Sequence, residues 1–139
     1  MPKKVLLSIK PEFAEKILDG RKRFEFRRVV FRDKTVRKVV IYASSPVSQI
    51  IGEFEIDGIL SMSKNGLWRE TQQHAGISWD VFMNYFSGKE ECYAIRVANP
   101  MRYDEPMNLY QAVALTRPPQ SFAYVEFTRN EHQERGFVY

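Results

Sequence analysis

Cysteine is nearly absent from this chain: there is one, Cys92, in 139 residues. A single thiol excludes an internal disulfide and any metal site built from clustered cysteines. Histidine is scarce as well. His74 and His132 are the two present, far apart and without an HxxxH spacing, so neither a metal centre nor any other cofactor is expected. Long apolar runs are missing too. Val39 to Ala43 is among the longest, against the roughly 20 residues a membrane-spanning helix needs. After Met1-Pro2-Lys3-Lys4 come only Val5-Leu6-Leu7 before Ser8, too few for a secretory signal, so no membrane association is expected and the cytoplasm is the expected location. Phosphate-loop, GxGxxG and GxSxG motifs do not occur, nor do repeats or Gly/Ser linkers.

What is present is a globular composition, 44% apolar and 27% charged, at the length of one domain. The net charge of +4 conceals an asymmetry. Residues 1–40 hold 13 Lys and Arg against 5 Asp and Glu, whereas residues 41–139 hold 8 against 12. Arg21 to Lys38 is the densest part, with nine basic and two acidic side chains. Such a field suits a phosphate-bearing partner, and it is also what a lysine-rich, solvated strand surface looks like.

Val5 to Ile9 reads as a buried strand. Pro11 opens a helix, where its missing N–H is an orphan anyway. Phe13, Ala14, Ile17 and Leu18 recur at helical spacing, and Gly20 ends the helix. Arg23 to Arg27 alternates with period two, placing Phe24 and Phe26 on one face and Arg23, Glu25 and Arg27 on the other. Val36–Ala43 and Gln49–Ile56 are further strands, the second extendable to Leu60, with Gly52 a candidate bulge. Asn65–His74 reads as helical. Ser78 is an N-cap, followed by a core-facing stripe of Trp79, Phe82, Met83 and Phe86, with Gly88 closing the helix. Glu91–Val97 is a strand that Asn99-Pro100 is expected to break. A short helical piece near Asn108–Leu115 and a polar tail over 128–139 follow. Short strands separated by turn residues predict an α+β fold, a small partly open barrel of about five to six strands with short flanking helices.

The octapeptide Gly20-Arg21-Lys22-Arg23-Phe24-Glu25-Phe26-Arg27 resembles the GxKxxExR signature of the ASCH domain, within the PUA-like superfamily. Ser8-Ile9-Lys10-Pro11 is similar to the usual opening of that domain. Tyr42-Ala43-Ser44-Ser45-Pro46, Ile51-Gly52-Glu53-Phe54, and Phe82–Gly88 followed by Tyr93-Ala94-Ile95 resemble its later elements in the same order. The match covers residues 3–98, taken as an ASCH/PUA-like core, with 99–139 as a C-terminal extension packed on the same domain. Within that extension, Pro118 to Phe122 is similar to a bacterial and phage-associated subgroup. The resemblance implies a PUA-like barrel with a cleft beside the signature. Family members bind RNA or modified nucleobases and nucleosides. Some hydrolyse the acetyl amide of N4-acetylcytidine and some cleave RNA.

Lys22, Glu25 and Arg27 are the central candidates. A lysine reaches a phosphate or a base carbonyl, and becomes a base or nucleophile when burial or neighbouring cations lower its pKa. Glu25 can accept a proton from an exocyclic amine or a 2′-hydroxyl, and Arg27 can hold the carboxylate or an anion. Lys10, Tyr42, Ser44 and Trp68 complete the expected ligand set. Tyr42 and Ser44 share a strand face and offer hydroxyls, and Trp68 is either a stacking platform or core. Trp79 is expected in the core. Cys92 shares parity with Ala94 and Arg96 and is expected to point away from the main core. The function expected is binding of RNA or a modified nucleoside. The alternative is a metal-independent ribonuclease or N4-acetylcytidine-type amidohydrolase using Lys22 and Glu25 as catalytic residues. One departure bears on that alternative. Amidohydrolase members carry a threonine nucleophile where this chain has Glu25, and a later glutamate that His74-Ala75-Gly76-Ile77-Ser78 lacks. The oligomeric state stays open.

Overall fold

The computed structural model describes residues 3–126. The polar tail read over 128–139, and His132 within it, lie outside the described residues. The chain order is β1 (Lys4–Ile9), α1 (Pro11–Leu18), β2 (Phe24–Arg27), β3 (Lys38–Ala43), β4 (Gln49–Met62) and α2 (Lys64–Thr71). A 3₁₀ turn (Gln72–His74), α3 (Trp79–Tyr85), β5 (Cys92–Met107), α4 (Leu109–Val113) and β6 (Ala123–Val125) complete it.

The strands form one six-stranded sheet, ordered β2-β5-β4-β3-β1-β6, that does not close. With short helices around it, this is the α+β, partly open arrangement expected from the sequence. β1 and β3 pair in parallel, Val5 opposite Val39 and Ile9 opposite Ala43. Both are buried on two faces, which explains their unbroken apolar runs. Val5, Leu7, Ile9, Val39 and Ile41 pack inward with Ala14 and Ile17 of α1. Leu6, Val40 and Tyr42 pack outward with Tyr103, Leu109 and Val125. A third cluster joins Phe24 and Phe26 of β2 to Leu67 of α2 and Phe82 and Phe86 of α3. Glu53, buried in β4, is satisfied by Lys38 at 3.0 Å, the Tyr103 hydroxyl at 2.8 Å and Lys4 at 3.4 Å.

Two expectations need correction. Asn99-Pro100 does not end β5, which continues to Met107 across the position where the C-terminal extension was placed. Ala98 pairs with Glu55 and Met101 with Glu53, so two residues of β5 oppose one of β4. Asn99 takes the positive φ of that bulge (47°), and Pro100 needs no ladder partner there. Trp79 is 54% exposed, because at the first helical position it leaves the stripe that Phe82 and Phe86 carry into the core. Cys92 points away from the inner core, as its strand parity predicts, and is buried because that β5 face is itself covered by α2 and α3.

Candidate nucleobase cleft

The sheet is open between the C-terminal half of β1 and β2, and a cleft of about 290 Å³ lies there. Ser8, Ile9 and Lys10 line it from β1 and the start of α1, and Phe13 from α1. Lys22, Glu25, Phe26 and Arg27 line it from the signature segment. Ile77, Val81, Asn84 and Tyr85 supply the wall from α3 and the turn before it. The helix boundaries fix this geometry. Gly20 takes φ +88° just after α1, turning the chain so that Lys22 enters beneath that helix. The Ser78 side chain caps α3 by accepting from the Val81 N–H at 3.3 Å.

Lys22 is 2% exposed. Its ammonium donates to the Ala75 carbonyl at 2.7 Å and lies 4.5 Å from the centre of the Phe26 ring and 5.3 Å from that of Phe13. Cation–π contacts of this kind offset part of the desolvation cost of a buried ammonium. The turn that receives Lys22 is held at three successive carbonyls. The Arg23 N–H donates to His74 at 2.9 Å, Lys22 to Ala75, and the Lys16 ammonium to Gly76 at 3.2 Å. Burial lowers the Lys22 pKa from 10.5 to about 8, with Glu25 opposing the shift and Lys16 adding to it.

Glu25 is buried as well, and burial pushes its carboxyl above the usual range against the pull of Lys22 and Arg27. Arg27 is a junction. It donates to Glu25 at 3.3 Å, to the Ser8 carbonyl at 3.4 Å and to the Ser121 carbonyl at 2.5 Å. The Ser8 hydroxyl donates to the Pro119 carbonyl at 3.3 Å. Residues 119–121 thus bridge β1 and β2 where the sheet is open. The floor combines a cation, a carboxylate acceptor and aromatic faces, a set able to bind a flat, neutral, hydrogen-bonding ligand.

Of the residues expected from the sequence, Lys10, Lys22, Glu25 and Arg27 come together here. Tyr42, Ser44 and Trp68 do not line this cleft. Tyr42 is buried on the outward face of β3 and borders a separate hollow with Ser48, Asn108 and Tyr110. Ser44 follows the end of β3, its N–H bonded to the Ile9 carbonyl. Trp68 packs on Phe82, ring centres 5.0 Å apart. The sequence reading missed Phe13, Val81, Asn84 and Tyr85 as cleft residues. Positions 81, 84 and 85 recur at i, i+3 and i+4 beside the core stripe, which is the pattern that marks them.

The ASCH domain sequence model matches residues 7–115. The chain belongs to the ASCH domain family. A relative from Zymomonas mobilis, named an ASCH domain-containing ribonuclease, is 33% identical over 128 residues, covering 88% of this chain and 84% of that protein. The crystal structure of ASCH from Zymomonas mobilis matches with a TM-score of 0.83 and 30% identity, over 91% of this chain and 90% of that one. A crystal structure of a point mutant of that ASCH protein matches at 0.81 and 29%, covering 90% and 89%. No helix among the described residues of this ASCH protein is long and apolar enough to cross a membrane.

Proposed function

We propose that this ASCH protein binds RNA by seating one unpaired or modified nucleobase in the cleft. The observation carrying this reading is the burial of Lys22 and Glu25 together against Phe13 and Phe26. A carboxylate on the floor repels a phosphate but accepts from an exocyclic amine, while the lysine donates to a base carbonyl. The partly exposed Phe13 ring in the cleft wall offers an apolar surface that any base can use. The volume lies at the small end of ligand sites, about 300–1,000 Å³, and suits one base or nucleoside rather than a strand. Phosphates belong at the rim, where Lys10 is exposed and Arg28 meets Tyr85 through its N–H.

A second reading, metal-independent RNA cleavage, is favoured by the Zymomonas mobilis relative, which is named a ribonuclease. An amine with a pKa of about 8 is partly neutral at physiological pH. Neutral Lys22 takes the 2′-hydroxyl proton as that oxygen attacks the adjacent phosphorus. The P–O5′ bond breaks, and the leaving oxygen takes its proton from Glu25 in its protonated form, which burial makes more accessible by pushing the carboxyl above the usual range. The products are a 2′,3′-cyclic phosphate and a 5′-hydroxyl end. Amide hydrolysis has less support: Glu25 offers no hydroxyl nucleophile, and residues 74–78 meet Lys22 with the Ala75 carbonyl.

Both readings are tested with labelled single-stranded RNA in native and denaturing gels, in EDTA, using wild type and Lys22→Ala. A native shift weakened by the substitution, without cleavage, is the result expected for binding. Cleavage in EDTA that Lys22→Ala abolishes establishes the nuclease. Neither shift nor cleavage with RNA or with free nucleosides overturns both.

A further inference from the structure

We propose that Gly76 is a positioning residue for Lys22: the absence of a side chain at 76 is what lets the lysine stem reach the cleft floor and its ammonium meet the Ala75 carbonyl. A Cβ built on Gly76 falls 2.5 Å from Lys22 Cβ, 2.6 Å from its Cγ and 3.0 Å from its Cδ. These atoms lie at the root of the side chain, where rotation cannot relieve the overlap, so the whole stem must shift. Gly76 also takes φ +67°, a conformation open to glycine and disfavoured for other residues. The same turn anchors the far end of Lys22 through Ala75, and Lys16 locks it from α1 through the Gly76 carbonyl. Lys22 is therefore gripped at stem and tip by adjacent residues of one turn. The charged and titratable groups around it are Lys16 and Lys10 at α1, Glu25 and Arg27 on β2, and Tyr85 on α3. A displaced stem moves the ammonium away from the two phenylalanine rings towards water. The consequence for RNA rests on the cleft reading above; the positioning role does not.

The test is a residue-resolved NMR titration of ¹³C-labelled lysine side chains in wild type, Gly76→Ala and Gly76→Asn, with the Lys22 signal assigned by its loss in Lys22→Arg. Asparagine adopts positive φ more readily than alanine, so Gly76→Asn retains the Cβ overlap with less backbone strain, and it supplies the answer if Gly76→Ala fails to fold. In both variants the Lys22 midpoint is expected to move up from about 8 by about one unit or more, towards the ordinary lysine range. RNA affinity measured in parallel is expected to fall on the order of tenfold. A Lys22 midpoint unchanged in a folded Gly76→Asn overturns the positioning role, and a fall in RNA affinity alongside it leaves the cleft reading standing. A shifted midpoint with unchanged RNA affinity upholds the positioning role and counts against the cleft as the RNA site.

Discussion

Lys22 and Glu25 are each held where their charged form is disfavoured, and a fold that keeps two such groups in one cleft is sacrificing stability for something else. The signs are opposite. Lys22 titrates near 8 when folded and near 10.5 when unfolded, so between those values the unfolded chain binds more protons and stability rises with pH. Below about 8 the buried ammonium costs on the order of 3 kcal/mol. The stability of Lys22→Met relative to wild type is therefore expected to decline as pH rises from about 8 to about 10.5, followed by thermal melts across that range. A flat difference contradicts the burial argument. Glu25 has a raised pKa, so wild type loses stability as pH climbs through and above the normal carboxylate range. Glu25→Gln is expected to be the more stable protein at neutral pH, with the advantage vanishing by about pH 4 in chemical denaturation. Charge balance and the signature made these residues visible in the sequence. Their burial was not visible, because it depends on α1 and the 74–76 turn closing over the start of β2.

At the level of elements, most of the fold was legible where a local signal had one physical meaning. Pro11, Gly20, Ser78 and Gly88 set helix ends at or beside the positions expected. Asn99-Pro100 misled because a proline signals a break only where the ladder needs its N–H, and a bulge removes that need. Trp79 misled because at the first helical position it falls off the face that Phe82 and Phe86 carry inward, whereas the parity of Cys92 gave its direction but not the helices that cover it. Gly52 marks a tight crossing of β4 against β5 and α1. A Cβ there falls 2.6 Å from the Met101 carbonyl and 2.8 Å from Leu18 Cδ2, between backbone and core. Gly52→Ala is expected to lose about 2–4 kcal/mol in urea unfolding. A loss below about 0.5 kcal/mol, the scale of ordinary surface changes, contradicts that close approach.

Across the whole molecule, the proposed function gives the basic first 40 residues and the cleft complementary parts: charge would attract a polyanion, and the recessed floor would select a base. The two contributions separate by ionic strength. Replacing a rim cation such as Lys10 or Arg28 with alanine should flatten the dependence of log affinity on log salt by about 0.7 for each phosphate no longer neutralised. Lys22→Ala should weaken binding while leaving that slope unchanged if, as proposed, its partner is a base and not a phosphate. The most direct test of the account is a backbone and side-chain NMR titration of the protein with a short single-stranded RNA in low salt. Shifts should concentrate at Lys22, Glu25, Phe26 and Tyr85, with the hollow beside Tyr42 and Tyr110 undisturbed. Shifts gathered at that hollow instead, or spread over the basic surface with the cleft silent, would contradict the cleft as the site of recognition.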